Sequence, residues 1–385
     1  MTIHFWPTLQ LLAYARIARG ILYTFELEIL KNRFITGSFS AHTDYLKRIE
    51  EKVSEILYPA FTITFSHLSV SSGKSEGVKH LVLPTEIQNK LIYIILELCA
   101  ETRNWYESHS MIFHRYYLDL RNKLSWFSFG IIDRFETARN YIQDKYMSME
   151  ERFHFACRYY FENDVQILWA NMSPGERFYA IKTVPRTRSM ELLLEMLHEC
   201  TPLNWSRIST LERRNFFLGN YLGIRSYFTK LIGSDTRYMC IFSALQNKSV
   251  HHFDLYLCLT RINDNELNNL LTRLPMPAMC ELLQSFLDWP LQIMFEDVVN
   301  AFKPHINGGI FRHLIKSLVL DKLRLGLQEN LYVDPLDSFW NPVSAKYKNH
   351  LKQEELYSLV RNALESSHPL GAKKFLFPST NLEKI

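Results

Sequence analysis

Apolar residues recur along most of this chain at the spacing of one helix face. Between Met149 and Met172, Phe153, Ala156, Cys157 and Tyr160 form one such set, and Val165, Leu168, Trp169 and Met172 form a second. Both follow the i, i+3, i+4, i+7 rule of an amphipathic helix. Asn163-Asp164 breaks the chain between them, so the pattern predicts a pair of short helices. Similar faces follow at Met190/Leu193/Leu194/Leu197, Tyr238/Ile241/Phe242/Leu245 and Met279/Leu282/Leu283/Phe286. Phe295/Val298/Val299/Phe302 and Phe311/Leu314/Ile315/Leu318 continue the series, and Leu356/Leu359/Val360 closes it. Helices of about three turns are marginal alone in water, so they must lean on neighbours. Pro174, Pro185, Pro202, Pro275, Pro277, Pro290, Pro304, Pro335 and Pro342 fall between these runs or at their starts. Proline inside a helix costs roughly 3 kcal/mol, so these positions are expected boundaries.

The N-terminal third reads differently. Residues 8–31 and 43–57 are predicted helices, the second with Tyr45, Ile49, Val53 and Ile56/Leu57 on one side. Phe61-Thr62-Ile63-Thr64-Phe65 alternates in the period-2 manner of a strand. The polar loop Ser71 to Gly77 and the run Val78 to Leu83 follow it. Helices resume at Thr85 with Leu91, Ile94, Ile95 and Leu98 on one face. Two more are predicted at 108–123 and 127–146, the latter aligning Ile131, Phe135, Ala138 and Ile142. A degenerate echo also runs through the chain. Glu151-Arg152-Phe153 and Glu176-Arg177-Phe178 match as triplets, and Arg214-Asn215-Phe216 and Arg237-Tyr238 resemble them. Their spacing suits a helix-pair repeat. The expected architecture is all-α: an irregular α-solenoid of short antiparallel helix pairs with one small extended or hairpin excursion near residues 58–83. The expected divisions are an N-terminal helical region at 1–123, a helix-pair array at 124–365 and a flexible tail at 366–385.

Composition agrees with a folded, helix-rich chain. It is 47% hydrophobic and 14% aromatic, ample for a core, and its 13 glycines are few for a sheet protein. A net charge of +4 over 385 residues is mild and makes no demand for nucleic acid. None of the six cysteines forms a CxxC, and Cys157 and Cys240 lie in apolar faces, as reduced buried thiols do. Leu91 to Leu98 is interrupted by Glu97 and falls far short of the roughly 20 apolar residues a membrane helix needs. Arg16 and Arg19 break the apolar stretch Leu9 to Leu22, which excludes it as the core of a secretory signal. An intracellular protein, cytoplasmic or nuclear, with no membrane span is expected.

Motifs for chemistry are sparse. Ser72-Gly73-Lys74-Ser75 ends like a phosphate-binding loop, but Leu68 stands where that loop needs its first glycine. His109 and His114 are five apart, off a common helix face. His251, His252 and Asp254 could share a helix, as could His154 with Cys157, and His198 stands near Cys200. None of these sets supplies enough ligands for a zinc site. Glu50-Glu51 and Glu354-Glu355 sit among lysines as solvated faces. Arg312, His313, Lys316, Lys322 and Arg324 form one modest basic cluster. No catalytic, cofactor-binding or metal-binding residue is assigned. Leu83-Pro84-Thr85-Glu86-Ile87 before Leu91-Ile92 resembles the opening of an F-box, and Leu274-Pro275-Met276-Pro277 before Leu282-Leu283 resembles the start of a SOCS box. Lys373 to Pro378 offers a short docking motif in the tail.

Residues from about Trp105 to Met172 carry Ile132-Asp133-Arg134, Glu136-Thr137-Ala138-Arg139, Arg152-Phe153 and Ala156-Cys157. Glu162-Asn163-Asp164 and Leu168-Trp169 complete the set. In these the chain resembles a family of uncharacterised arthropod α-helical proteins. The resemblance implies a divergent ankyrin-like helical array and brings no activity or site residue with it. The TPLH signature of ordinary ankyrin repeats is absent. A non-catalytic protein–protein interaction scaffold with unknown protein partners is the leading expectation. A substrate receptor of a ubiquitin ligase is the alternative, and an enzyme of unrecognised type the third.

Overall fold

The computed structural model describes residues 4–26, 42–59, 80–113, 120–182, 188–207, 227–322, 329–341, 348 and 355–366. The described residues are dominated by helix. Phe61–Phe65, the strand-like stretch of the expected excursion, lies outside the described residues. The short antiparallel pairing that is described joins Leu57–Pro59 to His80–Val82, and residues 60–79 lie outside the described residues. Three residues a side give too little ladder for an independent sheet. The expected tail, from 367 on, and its Lys373 to Pro378 motif also lie outside.

The chain divides into two compact units, 8–103 with 128–130, and 1–7 with 104–127 and 131–385. The main division falls after Arg103, earlier than the expected 123/124. Trp105 and His109 are the reason: both sit in the aromatic core of the larger unit.

In the smaller unit, helix Leu9–Leu22 starts at Thr8, whose hydroxyl accepts from the Leu11 amide at 3.2 Å. It buries Leu11, Ala15, Ala18 and Leu22, one stripe of the helix. Helix His42–Ser54 buries Ile49 and Val53. The helix Thr85–His109 buries Leu91, Ile94, Ile95 and Leu98 as the spacing predicts, and also Ile92 and Tyr93.

The larger unit is built on a stack of rings. Trp105 lies parallel to Tyr141 at 5.3 Å, Tyr141 to Phe155 at 5.1 Å, and His109 to Tyr159 at 5.6 Å. These rings join helices Thr85–His109, Arg134–Gln143 and Met149–Arg158. The predicted 127–146 helix is shorter than expected, because Asp133 caps it through the Glu136 amide at 3.2 Å. Its predicted face of Ile131, Phe135, Ala138 and Ile142 is fully buried.

The Glu-Arg-Phe echo has a physical basis. Ser148 and Glu151 form a reciprocal capping box at 3.1 and 3.0 Å, and Ser173 and Glu176 exchange the same pair of bonds at 3.3 and 2.7 Å. Arg152 Nε donates to the Ile142 carbonyl at 2.5 Å, and Arg177 Nε to the Trp169 carbonyl at 3.0 Å. Each arginine bonds a carbonyl in the last turn of the preceding helix, where intrahelical donors run out. The repeated unit is therefore Ser-x-x-Glu-Arg-Phe, longer than the triplet.

Beyond Gly233 come helices Ser234–Gln246, His252–Leu259, Asp264–Arg273, Met276–Gln284, Phe295–Phe302 and Gly308–Lys316. Met279, Leu282, Leu283, Phe286, Phe295, Val298, Phe302, Phe311 and Leu314 are buried as their periodicity predicts. Pro335 departs from expectation. It lies inside helix Glu329–Trp340, where the burial of Tyr332, Leu336 and Phe339 on one face outweighs its local penalty. All six cysteines are free, and only Cys200 is exposed.

Trp169, expected to fill the core of its helix pair, is half-buried and lies under the Arg177 guanidinium. Phe155→Ala is therefore expected to destabilise the fold by about 3–5 kcal/mol, and Trp169→Ala by roughly 1–2 kcal/mol, read from urea unfolding midpoints.

His109 makes the core sensitive to acid. Its Nδ1 lies 2.6 Å from the Trp105 carbonyl, which can only accept, so Nδ1 carries the proton. Nε2 then accepts from the Tyr159 hydroxyl at 2.8 Å. Burial holds its pKa well below the ordinary value of 6.5, with Arg158 acting in the same direction. The unfolded chain therefore binds a proton near pH 6.5 that the folded chain refuses. Stability should be level above about pH 7 and fall by about 1.4 kcal/mol per pH unit below about 6.5. Urea titrations between pH 5 and 8 check this, with a shallower slope expected for His109→Gln.

Candidate functional site

Two features of the larger unit are candidates, an exposed aromatic helix and a cleft. Helix Pro174–Lys182 carries the second Ser-x-x-Glu-Arg-Phe unit, and Ala180 is its one buried residue. The His154 imidazole bonds the Ala180 carbonyl at 2.6 Å and fixes this helix against Met149–Arg158. Phe153 of the first unit is fully buried, whereas Phe178 of the second is 60% exposed. Tyr179 on the same helix and Ile167 on the preceding helix Glu162–Asn171 are each 59% exposed. Lys182 Nζ stands 5.4 Å from the Phe178 ring centre, and Arg177 covers Trp169 at 5.2 Å. The result is an aromatic surface edged by cations.

The second feature is an open, polar cleft of about 470 Å³. Asn104, Glu107 and Ser108, from the end of the long helix, form one wall. Lys248 to His252 and the Glu281 to Asp288 turn form the other walls, with Arg134 and Asp254 in the lining. Three pairs of opposite charge meet in or beside it. Arg134 Nη1 is 3.4 Å from Asp254 Oδ2, and both side chains are buried. Lys248 Nζ is 2.7 Å from Glu281, and Lys322 Nζ is 2.7 Å from Asp288. Burial pushes the Asp288 carboxyl up, but Lys322, His252 and His251 together outweigh it and hold the group below the usual carboxylate range. His252 Nε2 bonds the Trp289 carbonyl at 2.5 Å.

The serines of the cleft do not form a nucleophile–base pair. Ser108 Oγ lies 2.9 Å from His109 Nδ1, which suggests a dyad by distance alone. That nitrogen already carries the proton it gives to Trp105, so it cannot take one from Ser108. Ser108 and Ser285 instead donate to the carbonyls of Trp105 and Leu282 at 2.7 and 2.6 Å.

The structure separates most of the residues the sequence brought into view. Asp254 pairs with Arg134, while His251 caps its helix through the Phe253 amide at 3.2 Å. Cys157 is buried, and burial raises its thiol pKa. His198 and Cys200 are exposed. Among the described residues, no three His, Cys, Asp or Glu side chains are placed to hold a metal ion. Arg312, His313 and Lys316 are exposed on helix Gly308–Lys316, Lys322 is tied to Asp288, and Arg324 lies outside the described residues. His114 and Ser72 to Ser75 lie outside as well. In the F-box-like stretch Pro84, Thr85 and Glu86 are exposed and Leu83 and Ile87 half-buried, while Leu91, Ile92, Leu282 and Leu283 are buried. No described helix is long and apolar enough to cross a membrane.

Sequence reasoning missed the cleft because its ion pairs join residues 120 and 34 positions apart. It also missed the serines that complete the echo, although Ser148 and Ser173 stand three residues before Glu151 and Glu176.

The buried ion pair offers a direct test. Asp254→Ala should cost about 3–5 kcal/mol by stranding Arg134, whereas Arg134→Met with Asp254→Leu should come within about 1–2 kcal/mol of the parent in urea melts. No family model, curated protein or solved structure matches the chain.

Proposed function

We propose that this chain is a non-catalytic protein-interaction module, with short helix pairs stacked in chain order to display a recognition surface. The observation that carries the reading is the contrast between Phe153 and Phe178. Two local units with the same caps and the same arginine bond treat their phenylalanines in opposite ways, one buried and one 60% exposed. A large apolar ring held outward by a well-anchored helix suits a partner's surface. Tyr179 and Ile167 widen that surface. The neighbourhood of helix Met149–Arg158 supports the stacking, since it packs against Arg134–Gln143 before it and Glu162–Asn171 after it. The likeness of residues 105–172 to divergent ankyrin-like arrays accords with this reading, and stacks of that kind commonly bind proteins. The cleft favours a structural role over catalysis, because Arg134, Lys248 and Lys322 meet Asp254, Glu281 and Asp288 there.

The test compares the parent chain with Phe178→Glu/Tyr179→Glu by cross-linking in native extract. The double variant should keep the parent's unfolding midpoint to within about 0.5 kcal/mol, as exposed substitutions do. It should also lose the proteins that the parent captures reproducibly. An unchanged set of captured proteins would overturn the assignment of this surface.

A further inference from the structure

The geometry points to a proton-operated latch in the wall of the cleft, formed by His251 and His252 and acting on the start of helix His252–Leu259. The two imidazole rings lie with centres 4.0 Å apart, tilted by 33°. They are not equivalent. His251 Nδ1 accepts the Phe253 N–H, so this cap exists only while Nδ1 keeps its lone pair. The proton of the neutral His251 ring therefore sits on Nε2. His252 is arranged the other way. Its Nε2 donates to the Trp289 carbonyl, leaving Nδ1 to titrate 3.9 Å from Asp288 Oδ2.

These roles set an order of protonation. The Asp288 carboxylate acts on both rings but more strongly on His252, so the first proton gains most at His252 Nδ1 and enters there. Lys322 shares that carboxylate at 2.7 Å and tempers the gain. Lys248 is matched by Glu281, and Arg134 by Asp254, so neither pair decides the order. Glu107, in the facing wall, favours a positive charge in the cleft without selecting a ring. The second proton must enter at His251 Nδ1. It removes the cap of helix His252–Leu259 and places two cationic rings in contact. One proton tightens the site and the next opens it.

The opened turn has something to release. Phe5 donates its N–H to the Tyr256 hydroxyl at 2.7 Å, and its ring stands edge-on to Phe253 and Tyr256 at 6.1 and 6.3 Å. Residues 1–7 belong to the same unit as this helix. Loss of the His251 cap loosens the residues that hold this N-terminal strap.

The test uses the full chain with nitrogen-labelled histidines, titrated between pH 8 and 5. Hydrogen exchange of residues 250–259 is followed in parallel, and near-ultraviolet dichroism confirms that the aromatic core stays folded. His252 should titrate above the reference value of about 6.5 and His251 below it. Protection of the helix start should fall at least tenfold as His251 protonates. His251→Asn should abolish that fall, since asparagine caps a helix without titrating. In His252→Gln, the His251 midpoint should rise because the competing cation is gone. A His251 midpoint at or above that of His252 would overturn the latch. So would an unchanged loss of protection in His251→Asn, or an unmoved His251 midpoint in His252→Gln.

Discussion

A helix of nine or ten residues has few backbone groups satisfied by its own turns, and its ends decide whether it persists. Four amides and four carbonyls stay open at its two ends. Met149–Arg158 and Pro174–Lys182 are helices of this length. Serine and glutamate close the amides at their starts, and the following arginine reaches back to bond a carbonyl of the helix before. At these two junctions the side chain that anchors a new helix also bonds the end of the previous one. Arg237 likewise reaches back to the Leu231 carbonyl at 2.9 Å, in the turn before helix Ser234–Gln246. Apolar burial supplies most of the stability, and these bonds fix where each short helix begins and ends.

Open backbone carbonyls find side-chain partners in the interior too. Tyr227 donates its hydroxyl to the Tyr159 and Tyr160 carbonyls, near the point where Tyr160 leaves helical geometry at a φ of 51°. Tyr332 reaches the Leu287 carbonyl at 2.8 Å beside the 3-10 turn Ser285–Leu287. In both cases a buried aromatic ring carries a polar tip to a helix end. Rings fill the core, and their hydroxyls satisfy the backbone that short helices leave open.

Much of the helical framework was legible from spacing. The faces around Phe135, Leu282, Phe295 and Phe311 are buried because a sustained helical period records one buried side. Faces shifted where aromatic residues sit at an edge. Tyr238 and Phe242 stack on each other at 6.0 Å and stay half-exposed, while Cys240 and Ala244 take the interior. Hydropathy ranks a tyrosine and a cysteine without knowing which has room. Helix ends were less legible. Asp133 stops an apolar run that periodicity alone would carry back to 127, because one carboxylate cap outweighs a few residues of pattern. The cleft was illegible for another reason. Its charges are ordinary surface residues until folding brings distant turns together, and only the Ser-x-x-Glu spacing at 148 and 173 left a local trace of the candidate surface.

Position 109 shows what such partnering imposes on the sequence. The site calls for a flat ring that stacks on Trp105 and Phe155, gives one hydrogen to a carbonyl and receives one from a phenol. Phenylalanine can do neither of the last two, tryptophan can only give, and the amides of asparagine and glutamine lack the aromatic face. Tyrosine can give and receive only through one oxygen at its tip, whereas uncharged imidazole does so from two separate ring nitrogens, so divergence at this residue is confined by geometry even where no chemistry is performed.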